Sequence, residues 1–177
     1  MKRKLLYFFI IFSLTGCYWR DNPPSPPRGI EGFRPIYSTR QEIEKVVFTS
    51  PQPLKTPGKI YIKDDFLFVN EYDKGVHVFD NKDPEKPKKI SFFSIPHNVD
   101  IAIRGNILYA DNGRDLLSID VTNPTQPKLL NRMKDILSNQ DFPPQNNVNF
   151  ECVDKSKGLV VGWEKVLIKD YQLNCYR

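Results

Sequence analysis

The sequence predicts an all-β chain: an incomplete β-propeller-like array of about three four-stranded antiparallel blades, with one short N-terminal helix. Three observations predict it. Residues 58–131 hold two tandem copies of one unit, GKIYIKDDFLFVNEYDKGVHVFDNKDPEKPKKI and HNVDIAIRGNILYADNGRDLLSIDVTNPTQPKLL. Asp80, Pro84 and Pro87 of the first recur as Asp120, Pro124 and Pro127 of the second, a period near forty residues. Within each copy, short apolar runs alternate with turn residues, which at this period is the pattern of a four-stranded propeller blade.

In the first copy, 60–62, 66–70, 76–80 and 90–94 read as strands A to D; in the second, 99–103, 107–111, 116–121 and 128–130 do. The first blade therefore occupies about 58–96 and the second about 97–131. Strand B of the first is almost continuously apolar, as a strand packed on both faces should be. Gly75 and Gly113 fall in the B–C turns, where positive φ is cheap. The C–D segments DNKDP and DVTNP are Asx/Pro turns. A degenerate third unit is expected at about 148–177, with strand A at 148–153, B at 158–163, C at 166–169, and 171–176 as a cap or a fourth strand. Between units two and three, 132–137 reads as a helical turn and 141–147 as a loop.

Ahead of the first blade, Thr39 and Glu42 fit the Ser/Thr-x-x-Glu capping box, so a short helix opens there. The β-branched and aromatic run Val46-Val47-Phe48-Thr49 ends it and reads as an extra strand at 45–49. Such a strand is expected to cover an edge of the first sheet, since a bare edge recruits other chains.

The N-terminus reads as an address. Lys2, Arg3 and Lys4 form a basic region, and the apolar run 5–14 is too short for a membrane-spanning helix of about 20 residues. Together they describe an export signal over 1–16. The segment closes on Leu14-Thr15-Gly16-Cys17, which resembles a bacterial lipobox. The resemblance implies cleavage before Cys17 and lipid attachment at its sulfur. The expected partners are then a membrane, through that anchor, and a protein or a second copy; the expected location is the bacterial cell envelope at the outer membrane. Residues 17–33 read as a lipidated tether, because Pro23, Pro24, Pro26 and Pro27 favour extended polyproline II and build no core. The folded β domain would be 34–177.

Charge adds an exclusion. The chain has 26 Lys and Arg against 21 Asp and Glu, a net +5. Without Lys2, Arg3 and Lys4 the balance falls to about +2, and no basic stripe with interleaved aromatics appears, so nucleic acid is not an expected partner. His77 and His97 stand in no metal-ligand spacing with cysteine, and no acidic run has the spacing of a calcium loop. No metal, cofactor or catalytic residue is assigned, and no nucleophile elbow, P-loop or dinucleotide fingerprint is present. Once Cys17 carries lipid, Cys152 and Cys175 remain; in an oxidising compartment a disulfide is expected, with two unpaired thiols as the alternative.

The segments LLSIDVTNPTQP at 116–127 and, more loosely, VHVFDNKDPEKP at 76–87 are similar to the signature of LVIVD-repeat proteins. The resemblance implies a β-propeller of bacterial secreted or surface proteins, here in a short lipoprotein layout like those of the Bacteroidota. Its motif is structural and transfers no catalytic residue. The expected function is a non-catalytic binding or scaffold module of the cell envelope. A structural or regulatory subunit of an envelope complex is the alternative, and an enzyme with an unrecognised site a further one.

In a four-stranded meander the A–B and C–D turns share one face, and the B–C turns and blade junctions share the other. The second face gathers Glu71, Tyr72, Asp73, His97, Asn98, Asp111, Asn112 and Arg114, with Trp163 and Glu164 from the third unit. Mixed charges beside two large aromatics suit a recognition surface. The same residues also fit ordinary turns, with Asn and Asp as turn formers and Trp163 filling a gap between sheets.

Overall fold

The computed structural model describes residues 29–137, 141–169 and 174–177. The export signal expected at 1–16, the lipidation expected at Cys17 and most of the expected tether lie outside the described residues. Among the described residues thirteen strands form three sheets. Blade one contains β3 (Pro57–Lys63), β4 (Phe66–Glu71), β5 (Gly75–Asp80) and β6 (Lys88–Ser94), and β2 (Val47–Thr49) adds a fifth strand beyond β6. Blade two is the meander β7 (Ile101–Arg104), β8 (Ile107–Asn112), β9 (Asp115–Asp120) and β10 (Lys128–Met133). The edge-covering strand is thus β2: Phe48 stands opposite Phe93 and Thr49 opposite Phe92.

The two copies repeat at the level of single hydrogen bonds. Asp80 Oδ1 accepts from Lys82 N at 3.1 Å and Asp120 Oδ1 from Thr122 N at 2.8 Å. Asp83 Oδ1 accepts from Glu85 N at 3.2 Å and Asn123 Oδ1 from Thr125 N at 3.1 Å. Asn81 N donates to Asp65 O, and Val121 N to Asn106 O, so each turn is also tied to its own A–B turn. Gly75 has φ +135°, and a Cβ there would collide with the Phe93 carbonyl. Gly113 has φ +61°.

Strand register decides what each blade buries. In blade one Phe68, Val76, Val78 and Phe93 share a face; in blade two Leu108, Ala110, Leu117 and Ile119 do. These two faces pack together as one core, all at 1% exposure or less. The Ser91 hydroxyl crosses the seam to donate to the Pro124 carbonyl at 2.9 Å. Burial of eight such side chains, each contributing about 1.5–3 kcal/mol for the larger ones, is the main attraction between the blades.

Helix α1 (Arg40–Ile43) opens with the full capping box between Thr39 and Glu42 and buries Ile43 completely. It is held to blade two by charge. Asp115, fully buried, accepts from Arg40 Nη1 at 2.7 Å, from Arg132 Nη1 at 2.8 Å and from Asp135 N at 3.0 Å.

The third sheet departs from expectation. It is not a degenerate copy of the blade. Its order is β12 (Leu159–Ile168), β1 (Ile30–Ser38), β11 (Asn149–Glu151), β13 (Asn174–Tyr176), and β1 runs parallel to β11. The two strands expected at 158–163 and 166–169 are one continuous strand with no turn between. Trp163 and Glu164 therefore sit mid-strand, opposite Pro35 and Arg34 of β1. The tether ends earlier than Phe33, because Ile30 onward pairs along β12 from Ile168 to Leu159. Pro35 is tolerated since β11 pairs with β1 only at Gly32 and Phe33; beyond them β1 has a single neighbour. Residues 132–133 belong to β10 and 134–135 form a plain turn, so the helical turn expected at 132–137 is absent. Cys152 and Cys175 are joined in a disulfide across 23 residues, beside the β11–β13 pair.

The third sheet and α1 lie against the B–C turns and the junction between the blades. A Cβ on Gly113 would stand 3.0 Å from Val161 of β12 and 3.7 Å from Ile43. Tyr37, Ser38 and Glu42 line a hollow with Ser94, Pro96 and His97 of the junction.

Candidate functional site

The turn face of the two blades is built from short loops whose polar side chains look inward. Asn98 is fully buried: its Nδ2 donates to Asp111 Oδ1 at 2.7 Å and Asp100 O at 3.0 Å, and its Oδ1 accepts from Asn70. Asp111 Oδ1 also accepts Val99 N at 2.8 Å and Asp100 N at 2.9 Å. Burial raises the Asp111 pKa above the ordinary carboxylate range, and these three hydrogen bonds only partly oppose it. Asn112 is fully buried, donating to Pro96 O and accepting from Arg132. Arg114, 12% exposed in its side chain, holds Asp141 at 2.5 Å and Asp135 at 3.4 Å, and its carbonyl accepts Leu137 N at 3.0 Å. It anchors the segment that follows β10.

Glu71 is buried too. Its carboxylate lies 2.6 Å from His77 Nε2 and accepts Lys55 N at 3.0 Å and Thr56 N at 3.3 Å. Burial pushes its pKa up, but the contacts from His77, Lys55 and Thr56 outweigh that and hold it below the usual range. Residues 50–56 are in this way strapped over the outer face of blade one. The Asp73 carboxylate lies 3.0 Å from His97 Nδ1, positioned to accept from it, and Asp73 N donates to Asn98 O at 2.7 Å. His97 takes φ +58° at the blade junction.

Most of the proposed recognition face is thus internal scaffolding. Glu71, Asn98 and Asn112 are corrected from ligand contacts to buried joints, and the partly buried Arg114 to an ion-paired one, since a turn facing another sheet must satisfy its polar groups within the protein. Asp111, Asp73 and His97 serve the same joint from its rim. Glu164, 52% exposed in its side chain, points to Arg34 at 3.7 Å and is not near the others.

Two of the ten, Tyr72 and Trp163, are brought to one cleft. Both line a cleft of about 730 Å³ between the blades and the third sheet. Tyr72 comes from the B–C turn of blade one, Val99 from the junction, Ile136 and Leu137 from the segment after β10. Phe142 and the Pro143-Pro144 pair come from the loop, Trp163 from β12, and Arg177 from beyond β13. Tyr72 is 58% exposed, Phe142 51%, Val99 46% and Ile136 46%. The rings are propped rather than loose: Trp163 meets Phe150 edge-on at 5.4 Å, and Phe150 meets Phe142 at 6.2 Å. The Arg177 guanidinium lies 5.4 Å over the Phe142 ring and donates to Pro143 O at 2.8 Å.

Sequence reasoning missed Val99, Ile136, Phe142 and Arg177. Phe142 carried one usable signal, an aromatic residue in a loop between Asp141 and two prolines. Among the described residues the lining offers no carboxylate side chain, imidazole, hydroxyl of Ser or Thr, or thiol. The described lining suits apolar and aromatic groups and, at Arg177, one acceptor or anion. Among the described residues no group of three or more His, Cys, Asp or Glu is placed to hold a metal ion, and no helix is long and apolar enough to cross a membrane.

The repeated turn geometry, with its paired Asp and Asx contacts, has a counterpart among known families. Residues 97–135 match the family model of the LVIVD repeat. The match spans the junction at His97, all four strands of blade two and the turn at Asp135, and the sheets of both blades fit a β-propeller-like repeat. No curated protein and no solved structure matches the chain.

Proposed function

We propose that the protein is a lipid-anchored, non-catalytic binding module of the bacterial cell envelope, and that it captures a protein partner through the cleft between its three sheets. The observation that carries the proposal is the convergence of four exposed apolar side chains, Tyr72, Val99, Ile136 and Phe142, on one concavity of about 730 Å³. They arrive from four separate stretches of chain onto a scaffold braced by buried polar joints. Apolar side chains gathered in a cleft with few polar neighbours are what ligand sites offer. The Leu14-Thr15-Gly16-Cys17 segment supports the anchor, with the outer membrane as the proposed address.

The test is capture from detergent-solubilised envelopes. Tyr72→Ala with Phe142→Ala should reduce recovery of a stoichiometric partner at least tenfold while the melting temperature shifts little, because both rings are half exposed. Undiminished recovery by that variant would overturn the site. Cys17→Ser should leave an unlipidated precursor; lipid labelling equal to wild type would overturn the anchor.

A second reading, a subunit of a larger envelope complex, is favoured by β10, whose Leu129, Leu130 and Met133 are 43%, 55% and 45% exposed on a bare sheet edge.

A further inference from the structure

We propose that the Cys152–Cys175 disulfide is a redox latch on the cleft: oxidised, it holds Arg177 against the Phe142 wall, and reduction by a dithiol frees that wall and ends recognition. The inference rests on the reading of the cleft as the recognition site.

The wall is the stretch Asp141-Phe142-Pro143, and it has two anchors. On the blade side, Asp141 is held by the Arg114 guanidinium at 2.5 Å. On the side of the third sheet, Arg177 lies 5.4 Å over the Phe142 ring and donates to the Pro143 carbonyl at 2.8 Å. The first anchor is an ion pair whose Arg114 side chain is only 12% exposed. The second is only as firm as the strand that leads into Arg177.

That strand is β13. Among the described residues it pairs with β11 alone, at three positions. Val148 and Arg177 add a pair of backbone hydrogen bonds at 3.2 Å. Tyr176 is 66% exposed and Cys175 is half-buried, so these two residues bring little apolar burial. A short edge strand of this kind opens at little cost in free energy. The bond to Cys152 ties it down two residues before Arg177. Register adds a second link. Phe150, opposite Cys175, is the ring that Trp163 meets at 5.4 Å and Phe142 at 6.2 Å.

The bond can also be reached. Cys152 is exposed, and exposed disulfides are the ones that exchange with thiols. A thiolate of the dithiol attacks the Cys152 sulfur, and Cys175 leaves as a thiolate and takes a proton. The second thiol of the reagent then displaces Cys152 and closes a disulfide in the reagent. Two electrons and two protons pass to the protein. β13 is then held by its hydrogen bonds alone, Arg177 leaves Phe142, and the wall keeps only its anchor at Arg114.

The experiment follows Trp163 in the protein extracted from envelopes in mild detergent, with Trp19→Phe so that one tryptophan remains of the two. Acrylamide quenching of Trp163 should rise about twofold on adding dithiothreitol. Cys152→Ser with Cys175→Ser should show that rise without reductant. Arg177→Ala should show it with the disulfide intact, and reduction should then add little. Circular dichroism should keep its strand signal throughout, and partner recovery should fall about fivefold wherever quenching rises. Quenching that ignores reduction overturns the latch. So does a rise on reduction as large in Arg177→Ala as in wild type, because the bond would then act through the sheet and not through Arg177. Loss of the whole strand signal on reduction overturns it as well. Recovery that depends on Tyr72 and Phe142 but not on reduction, at constant quenching, keeps the cleft as the site and removes the latch. Quenching that rises through Arg177 while recovery stays unchanged keeps the latch and removes the cleft as the recognition site.

Discussion

Phe68, Val76 and Val78 of blade one have Tyr109, Leu116 and Ser118 as their counterparts in blade two. The first three are fully buried against the neighbouring blade; the second three are half exposed, with no blade beyond them. On the opposite face, Val69, His77 and Phe79 correspond to Ala110, Leu117 and Ile119. There both sets are buried, but blade two is covered by blade one and blade one by the strap at 50–56. The unit is built to pack front to back. Two copies supply one such interface and leave two ends, and each end is closed by a different device. At one end an apolar face is roofed by a proline-rich segment. At the other the face is made tolerable in water by Ser118 and Asn131. A repeat thus carries its packing code unchanged, while end copies diverge where no neighbour comes, as terminal repeats do in stacked architectures.

The sharpest way to break this comparison is to cut the same position in both blades. Phe68→Ala should cost about 3–5 kcal/mol, as a fully buried aromatic does. Tyr109→Ala, at the corresponding half-exposed site, should cost about 1 kcal/mol or less. Denaturant midpoints at unchanged slope would measure both, and equal losses would mean that the two faces are not distinct.

Asp115 sharpens it next. Its counterpart in blade one is Gly75, so this carboxylate is an addition of blade two that ties α1 to it. Its burial pushes the pKa up, yet the contacts from Arg40, Asp135 N and Arg132 hold it below the ordinary range. Asp115→Ala leaves two guanidinium groups without their shared carboxylate and should cost about 3 kcal/mol, at the low end for a broken buried pair because the Arg40 side chain is 30% exposed. A loss under 1 kcal/mol by chemical denaturation would contradict the joint.

Reducing Cys152–Cys175 opens a loop closed across 23 residues and should lower stability by about 2–3 kcal/mol, in an account whose entropic basis is model-dependent. The loss belongs to the third sheet. Hydrogen exchange should quicken in β11 and β12 before β5 or β9, and a uniform change across all three sheets would count against it.

The smallest effect separates the blades by pH. Glu71 holds the strap, and its counterpart Asn112 does not titrate. A carboxylate whose folded pKa lies below its unfolded value of about 4.3 contributes stability that is complete above that value and is lost as pH falls through the folded one. Between pH 6 and pH 3 proteolytic nicking within 50–56 should therefore rise, and Glu71→Gln should flatten that rise. Nicking that is independent of pH, or unaltered by the substitution, would show that Glu71 does not hold the strap.

What could be read from the sequence followed from how local the signal is. The two blades, the Asx turns, the capping box and the edge strand β2 are written in stretches of a few residues. The third sheet is not. It pairs β1 with β12, more than a hundred residues apart, and β1 carries Gly29, Gly32 and Pro35, which in isolation read as linker. Glu164 and Lys165 mimic a turn in β12 because that strand shows one side to water. The same limit applies to the site. Tyr72 and Trp163 were visible as large aromatics, but Val99, Ile136 and Phe142 became neighbours only when three sheets met. Asn98 and Asn112 looked like ligands because a buried joint and a binding loop use the same polar residues.

The central functional claim is that recognition takes place in the cleft and not on the proline turns of the other face. Hydrogen exchange of the mature protein, with and without its captured partner, tests it most directly. The account predicts slowed exchange at Tyr72 and Asp73, at 136–137, at Phe142 and at 161–163, with the turns at 80–87 and 121–127 unchanged. Protection confined to those two turns, with the cleft exchanging freely, would contradict it.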